Sequence, residues 1–205
     1  MRLDQKLNFV VPIYRTVTRK DADGVEHEVD EAVAYVHSTP ILRETFDRYC
    51  MTLAKTFASI YSDGLGFVAG PRVAMNILQE KATDLNDWDG DDGVKNGLLG
   101  EINRLTSYIA PGKDGWEAVP LEVALQRKAL SDDDVAEVTN AVAFFIVNSA
   151  MLRRMDLKTA LDGAAKLWGA RVTFSGCTEF IASLPKSTVA ESTGATAAGA
   201  SQMPY

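Results

Sequence analysis

The sequence predicts an α+β fold: a mainly α-helical domain with an N-terminal β-hairpin and a disordered C-terminal tail. Residues 7–37 contain two β-forming segments around a polar stretch, and residues 40–184 repeat apolar side chains at helical spacing. Residues 186–205 are almost entirely Ser, Thr, Ala and Gly. Such a segment has too little apolar surface to offset the entropy lost on ordering, so we expect a disordered tail after a single domain of residues 1–185.

The N-terminal segment has the composition of a hairpin. Leu7 to Tyr14 is rich in β-branched and aromatic residues and predicts a strand, which Pro12 marks as an edge strand or as the end of one. Ala32 to His37 predicts a second strand. Between them, Thr16 to Glu31 is polar and includes the turn signal Asp23-Gly24. We therefore expect a β-hairpin with a long, charged and mobile tip.

Two helices follow the hairpin. Thr39 is placed to be the N-cap and Pro40 the first residue of a helix that continues to Tyr61. Gly70-Pro71 predicts the start of a second helix in the same way. The first helix has one buried face, composed of Leu42, Phe46, Tyr49, Leu53, Phe57 and Ile60.

The middle of the chain predicts another helix and a turn. Apolar residues recur at helical spacing from Val94 to Ile109 and end at Pro111-Gly112. A turn is expected at Asp114-Gly115-Trp116, and a short helix from Pro120 to near Leu130.

The strongest helix signal follows at Ser131, a good N-cap, with three aspartates after it that favour the positive end of the helix dipole. This helix is predicted from Asp132 to about Arg154 and includes a fully buried turn. Asp156 would cap a further helix, Leu157 to Trp168, and Thr178 to Leu184 gives a last short one.

Composition excludes several classes of function. The net charge of −7 disfavours general binding to nucleic acid, which requires cations to neutralise phosphates. The longest apolar candidate, Val135 to Leu152, is interrupted by polar residues and is not a membrane span, and the N-terminus has no apolar signal-peptide core. We therefore expect a cytosolic protein in which Cys50 and Cys177 are reduced thiols.

The acidic loop Asp87 to Gly93 invites comparison with a calcium-binding loop. Starting at Asp87, an EF-hand requires Gly at position 6 and Glu at position 12, but these positions hold Asp92 and Leu98. We interpret the loop as a solvated turn whose aspartates cap the helix that begins near Gly93. An adventitious cation site is the alternative.

Two other motifs resemble catalytic or phosphate-binding sites. His37 and Ser38 are adjacent on a strand, so their side chains point to opposite faces and do not form a nucleophile–base pair. Gly64, Gly66 and Gly70 follow a helix rather than a strand, so we interpret them as the end of one helix and the start of the next. We assign no catalytic, cofactor-binding or metal-binding residue and expect no enzymatic activity.

The side chains that we single out are candidates for contact with a partner protein. Trp88 and Trp116 lie beside glycine-containing turns and either pack onto the helices or form a binding patch. Arg19, Lys20 and His27 lie in the predicted hairpin tip.

Several segments resemble small proteins encoded in the tail modules of tailed bacteriophages, and among these a tail assembly chaperone. They are Val36-His37-Ser38-Thr39-Pro40-Ile41, Ala69-Gly70-Pro71-Arg72-Val73-Ala74, the run from Asp92-Gly93-Val94 to Gly100-Glu101-Ile102-Asn103-Arg104-Leu105, Gly115-Trp116-Glu117-Ala118-Val119-Pro120 and the run from Cys177 to Pro185.

The resemblance implies transient binding to the tape-measure protein and the tail-tube subunit in the host cytoplasm during virion assembly, without a cofactor. Two alternative functions stay open. The chain would be a permanent virion component, such as a head–tail connector, tail terminator or minor tail protein whose hairpin inserts into a neighbouring subunit. It would be an enzyme without a recognisable motif. Whether it forms a homo-oligomer is equally open.

Overall fold

A computed structural model describes residues 7–21 and 25–185, and their fold is α+β, as the sequence predicts. The strands are β1 (Asn8–Lys20), β2 (Glu26–Ser38), β3 (Thr106–Gly112), β4 (Gly115–Pro120) and β5 (Arg171–Thr173). The helices are α1 (Arg43–Ser62), α2 (Gly66–Asp84), a π-helical turn (Val94–Leu98) continued by α3 (Leu99–Arg104), α4 (Leu121–Gln126), α5 (Asp132–Met151), α6 (Arg154–Trp168) and α7 (Cys177–Ser183). The predicted tail, residues 186–205, lies outside the described residues.

The strands form one antiparallel sheet in the order β4-β3-β2-β1-β5. The β1–β2 hairpin pairs from Phe9 opposite Ser38 to Lys20 opposite Glu26, with one irregularity between Ile13 and Tyr14. The neighbouring strands pair only with the base of this hairpin: β5 with residues 8–10 and β3 with residues 35–38. The far half of the hairpin therefore extends beyond the rest of the sheet.

The main core lies between one face of the sheet and the long helices. Successive strand residues point to opposite faces, and Phe9, Val11 and Ile13 point to the helices. Phe9 stacks on Phe145 of α5 with ring centroids 5.2 Å apart. Residues 141–148 of α5 are all buried, which confirms the fully buried turn predicted for this helix.

The other face of the sheet carries a second, smaller apolar cluster under α7. Its buried members are Val10 of β1, Ile109 of β3 and Phe180 of α7. Phe180 lies edge-on to Tyr35 at 5.4 Å. The short helix α7 is therefore held on the sheet by one deeply buried side chain.

The prediction of a helix as far as Ile109 is wrong. The helix ends at Arg104, and Thr106–Gly112 forms β3, which pairs with β2 on one side and with β4 on the other. The predicted turn at Asp114 is present, but Trp116 lies in β4 rather than in the turn. β-branched and aromatic residues gain more here from cross-strand packing than from another helical turn.

Several predicted helix starts are shifted. The N-cap of α1 is Leu42 rather than Thr39, and the N-cap of α6 is Arg153 rather than Asp156. The helix α2 begins at Gly66, which places Pro71 inside it. By contrast, Ser131 caps α5 as predicted, since its side chain accepts a hydrogen bond from the backbone amide of Asp134.

Gly70 lies within α2 for a packing reason rather than as a helix boundary. A Cβ atom at this position would lie 2.7 Å from Cε2 of Phe144 and 3.1 Å from Cγ2 of Ile60. The missing side chain therefore allows α2 to approach α5 and α1 closely. Gly64 lies between α1 and α2 and Gly66 is the first residue of α2, both with positive φ, so these two glycines mark the end of one helix and the start of the next, as the sequence predicts.

Candidate functional site

The most exposed regular structure of the described chain is the far half of the hairpin. We call residues 14–20 and 26–31 the distal hairpin. All of these residues are exposed except Val17 and Glu31, which are half-buried. The strands continue through the polar segment that was predicted to be a long mobile tip, because Thr16, Val17 and Thr18 are β-branched and their neighbours pair across the strands. Part of the predicted tip, residues 22–24, lies outside the described residues.

The two strands of the distal hairpin carry charges of opposite sign. Arg15, Arg19 and Lys20 are the ionised side chains of β1. The acidic side chains of β2 are Glu26, Glu28, Asp30 and Glu31, and this strand contains neither Lys nor Arg. The hairpin thus presents one basic strand beside one acidic strand.

Polar contacts between the strands follow this separation of charge. Arg19 pairs with Glu31 at 2.5 Å, and Lys20 Nζ lies 3.1 Å from Oε1 of Glu26. Thr16 Oγ1 donates to Oδ1 of Asp30 at 2.8 Å. These contacts are exposed to solvent, so each contributes only about 0.2–1 kcal/mol.

The hairpin end is where three of the sequence-predicted contact residues lie. Arg19 lies directly opposite His27 in the strand register, and Lys20 is next to Arg19. His27 Nε2 lies 3.0 Å from Oδ2 of Asp21, whose Oδ1 accepts the backbone amide of Val25 at 2.9 Å. The structure therefore places all three at the end of the hairpin, with Arg19 and His27 on one face and Lys20 on the other.

An ion pair fixes the base of the distal hairpin to the helical body. Arg15 Nη1 donates to Oδ1 of Asp134 at 2.9 Å, and its Nη2 pairs with Oδ2. Asp134 also accepts from the backbone amide of Ser131 at 3.0 Å. Hydrogen bonding by Arg15 is the main reason that the pKa of Asp134 is lowered to about 2, with Ser131 lowering it further against the effect of burial.

The two tryptophans lie apart from the hairpin end. Trp116 is half-buried in the cluster under α7, where its Nε1 donates to the carbonyl of Pro185 at 2.8 Å and its ring lies 5.5 Å from Tyr35. Trp88 is half-buried against the main core. Both therefore pack onto the fold and are only partly exposed to a partner.

The acidic loop is organised by α1. Asp87 Oδ2 accepts from Thr52 Oγ1 at 3.0 Å, and the carbonyl of Asp92 accepts from Tyr49 Oη at 2.7 Å. The helical segment does begin next to Gly93, but the expectation that aspartate side chains cap it is wrong. Backbone carbonyls do so instead: Asp87 accepts the amide of Val94 at 2.7 Å.

His37 and Ser38 point to opposite faces of the sheet, as predicted. His37 is buried under α7 and its Nε2 donates to the carbonyl of Ser175 at 3.1 Å, while burial lowers its pKa. Ser38 is buried on the other face, with its Oγ 3.0 Å from Oγ1 of Thr106. The two side chains form separate structural contacts.

An open groove of about 330 Å³ lies between the start of α1 and α3. Its arginines have carboxylate partners, with Arg48 2.7 Å from Asp92 and Arg104 2.7 Å from Glu101. A tighter apolar pocket near Phe144 has room for about one water molecule, with a volume of about 10 Å³. Neither recess brings unpaired charges to a common point.

The described residues were also searched for a metal-binding cluster, a membrane-spanning helix and paired cysteines. Among residues 7–21 and 25–185, no group of three or more His, Cys, Asp or Glu side chains is arranged to hold a metal ion. Within the same ranges, none of the helices combines the length and the apolar character needed to cross a bilayer. Cys50 and Cys177 are both half-buried free thiols.

Sequence reasoning identified the hairpin end but missed the charge separation along it. Because the sequence predicts a mobile tip for Thr16 to Glu31, it does not predict that Glu26, Glu28 and Asp30 lie on a strand beside basic residues. The available signal was the order of charges, which are all positive from Arg15 to Lys20 and all negative from Glu26 to Glu31.

Comparison with protein-family models, with curated proteins and with solved structures gave no significant match.

Proposed function

We propose that this chain is a non-enzymatic assembly protein of a bacteriophage tail, a tail assembly chaperone that binds the tape-measure protein and the tail-tube subunit in the host cytoplasm. The observation that carries the proposal is the distal hairpin, a two-stranded ribbon that extends beyond the sheet. Neither of its outer edges has a strand partner among the described residues. The resemblance of the sequence to tail-module proteins supports the choice of partners.

The distal hairpin is suited to contact with another protein for two reasons. Its edges offer unpaired backbone donors and acceptors, to which an extended segment of a partner can add as a further strand. Exposed apolar side chains lie on or beside it, with Tyr14 47%, Val25 52% and Val29 43% exposed. A partner that covers this ribbon would therefore gain both hydrogen bonds and buried apolar surface.

Co-expression with the tape-measure protein tests the proposal. The chain is tagged and purified beside a variant in which a short turn replaces residues 16–30. The base of the hairpin stays in the sheet through β3 and β5, so the body of the variant should fold. We expect the tape-measure protein to co-purify with the full chain and not with the shortened one. Absence of a complex with the full chain would overturn the chaperone proposal.

A permanent virion component is the second candidate function, and the same ribbon favours it. A projecting hairpin is an element that can insert between neighbouring subunits of a head–tail connector, a tail terminator or a minor tail protein. Mass spectrometry of purified virions separates the two roles. A chaperone is absent from finished particles, whereas a structural component is present in a fixed number of copies.

A further inference from the structure

We propose that the distal hairpin associates head to tail with a second copy of this chain, with the outer edge of β2 in one copy pairing with the outer edge of β1 in the next. This inference concerns self-association and does not depend on the chaperone proposal. It rests on three features of the hairpin: its open edges, the separation of charge between its strands, and the exposure of the groups that carry the charge.

Both edges are available over a similar length. On the β2 side, β3 pairs with residues 35–38, which leaves residues 26–34 without a second strand neighbour in the described sheet. On the β1 side, β5 pairs with residues 8–10, which leaves residues 11–20 likewise without a second strand neighbour in the described sheet. Val11 and Ile13 of β1 and Ala34 of β2 are buried, so the exposed parts of the two edges are residues 14–20 and 26–31. At about 3.3 Å per residue, each exposed edge is roughly 20 Å long. This is enough for several backbone hydrogen bonds between copies.

The charges determine which edges can meet. Two β2 edges would bring four acidic side chains against four others, and two β1 edges would bring three basic side chains against three. Like charges placed opposite each other destabilise a strand pair. Only the unlike combination, β2 against β1, places opposite charges across the new interface. The interface is therefore heterologous, with a different edge from each copy.

Charged edge strands ordinarily protect a sheet from aggregation, and this is the simplest alternative explanation of these residues. That protection depends on the two approaching edges having the same sign. In this hairpin the two edges have opposite signs, so charge blocks the symmetric pairings and favours the head-to-tail one. The same residues thus select one mode of association rather than prevent all of them.

Existing ion pairs leave these charges free to take part. The side chains of Arg19, Lys20 and Glu26 are 66%, 68% and 59% exposed although they are paired within the hairpin. Exposed pairs contribute little and exchange partners readily. In the assembled sheet, each acidic strand would lie between two basic strands. Val29, 43% exposed and directly opposite Val17, would also be covered by the added strand.

The geometry of a head-to-tail contact predicts the kind of assembly. If β1 of the next copy is antiparallel to β2, all hairpins point in the same direction. Repetition of this heterologous contact gives a closed ring or an open filament, according to the rotation between neighbours. A dimer with twofold symmetry is not expected, because it would join identical edges.

Sedimentation velocity on the full chain is the first test. At low ionic strength, about 0.02 M, we expect species that are multiples of the 22.3 kDa chain. These should dissociate as the ionic strength rises to about 0.5 M, because salt screens the exposed charges. A chain that stays monomeric at low ionic strength and at concentrations of roughly 100 µM would overturn the proposal.

Two charge variants provide the decisive test. Glu26→Lys with Glu28→Lys and Asp30→Lys makes β2 predominantly basic beside the basic β1, and Arg19→Glu with Lys20→Glu makes β1 predominantly acidic. Arg15 is left unchanged because it pairs with Asp134. We expect each variant to be monomeric alone and the mixture of the two to associate. Circular dichroism verifies that both are folded.

A matched control separates edge pairing from net charge. Glu44→Lys with Asp91→Lys and Glu122→Lys changes the net charge by the same amount as the basic hairpin variant, at exposed positions outside the hairpin. We expect this control to associate as the original chain does. Loss of association in the control, persistence of it in either hairpin variant, or a mixture of hairpin variants that stays monomeric would each contradict pairing of the two hairpin edges.

Discussion

Arg15 of β1 and Asp134 of α5 form a two-point ion pair at the position where the hairpin leaves the helical body. The two residues are 119 positions apart in the sequence. Asp134 is held in place by the capping interaction with Ser131, so its carboxylate is already oriented when it meets Arg15. The direction in which the distal hairpin projects is therefore linked to the first turn of α5.

The Arg15–Asp134 pair predicts a loss of stability in acid. The pKa of Asp134 is lowered from 3.8 to about 2 in the folded protein. The unfolded chain therefore binds this proton at a higher pH than the folded chain does. The stabilisation is complete above pH 4 and is lost as the pH falls from about 4 to about 2. Because Arg15 is 44% exposed, solvent screening limits the contribution to about 1 kcal/mol.

Urea unfolding at several pH values measures this effect. We expect Asp134→Asn to reduce the free energy of unfolding at pH 7 by about 1–2 kcal/mol, through loss of the ion pair and weakening of the cap. The variant should lose less further stability between pH 4 and pH 2 than the original chain does. Asp133→Asn, in the same helical turn, is the control. Equal pH dependence in the two variants would contradict this role of Asp134.

Gly97 and Gly100 make a matched pair for testing the packing of the acidic loop against α1. A Cβ atom at Gly97 would lie 1.8 Å from Oη of Tyr49, whereas nothing lies within 4 Å of one at Gly100. Tyr49 is buried and donates to the carbonyl of Asp92, so it cannot move away without breaking that hydrogen bond.

We therefore expect Gly97→Ala to lower the free energy of unfolding by about 1–3 kcal/mol. Gly100→Ala should raise it by up to about 1 kcal/mol, because alanine is the better helix former. Thermal unfolding followed by circular dichroism measures both changes. A similar melting temperature for the two variants would show that Tyr49 adapts to the added methyl group.

How much of this fold the sequence predicts depends on how local the determining interactions are. The cap at Ser131 depends on side chains within one turn, and it was predicted correctly. The strand Thr106–Gly112 was mistaken for helix because Leu105 and Ile109 continue the helical spacing of Val94, Leu98 and Ile102. Whether such residues form a strand depends on an available neighbour, here Tyr35 to Ser38 of β2. That neighbour is 68 residues away, measured from Ser38 to Thr106.

The candidate site shows the same limit. The basic and acidic runs of the hairpin are visible in the sequence, but their opposition requires the register in which Arg19 faces His27. Gly70 is another example, because its closeness to Phe144 depends on how two helices pack. The charge and apolar character of each segment can be read from the sequence, whereas contacts between residues that are distant along the chain depend on how the elements pack in the fold.

The buried imidazole of His37 predicts a second pH dependence, near neutrality. Burial lowers the pKa of His37 below its usual 6.5, since the charged form is poorly solvated under α7. The unfolded chain therefore takes up this proton first as the pH falls. Stability should decrease from about pH 7 downward until the lower pKa of the folded state is reached.

This dependence is measured as the slope of the free energy of unfolding between about pH 7.5 and pH 5.5. We expect His37→Gln to flatten the slope, whatever its effect on stability at pH 7.5. His27→Gln, which changes the exposed histidine at the hairpin end, is the control because it leaves His37 and its burial intact. A slope that is lost in the His27 variant but retained in the His37 variant would refute the assignment.

The attachment of α7 to the sheet can be followed through the reactivity of Cys177, the first residue of that helix. Phe180 is only 5% exposed and is the α7 side chain buried most deeply in the second cluster. Its removal should cost about 3 kcal/mol or more, which a seven-residue helix cannot recover elsewhere. Burial also raises the pKa of the Cys177 thiol. Release of α7 would therefore increase both access and the thiolate fraction.

In a Cys50→Ser background, we expect Phe180→Ala to increase the rate of Cys177 labelling at least tenfold, because the rate follows the population of the open form. Thr178→Ala, at an exposed position of the same helix, is the control and should label as slowly as the parent. The urea-unfolded chain sets the upper limit of the rate. Unchanged labelling in the Phe180 variant would mean that Trp116 and its hydrogen bond to Pro185 suffice to hold α7 on the sheet.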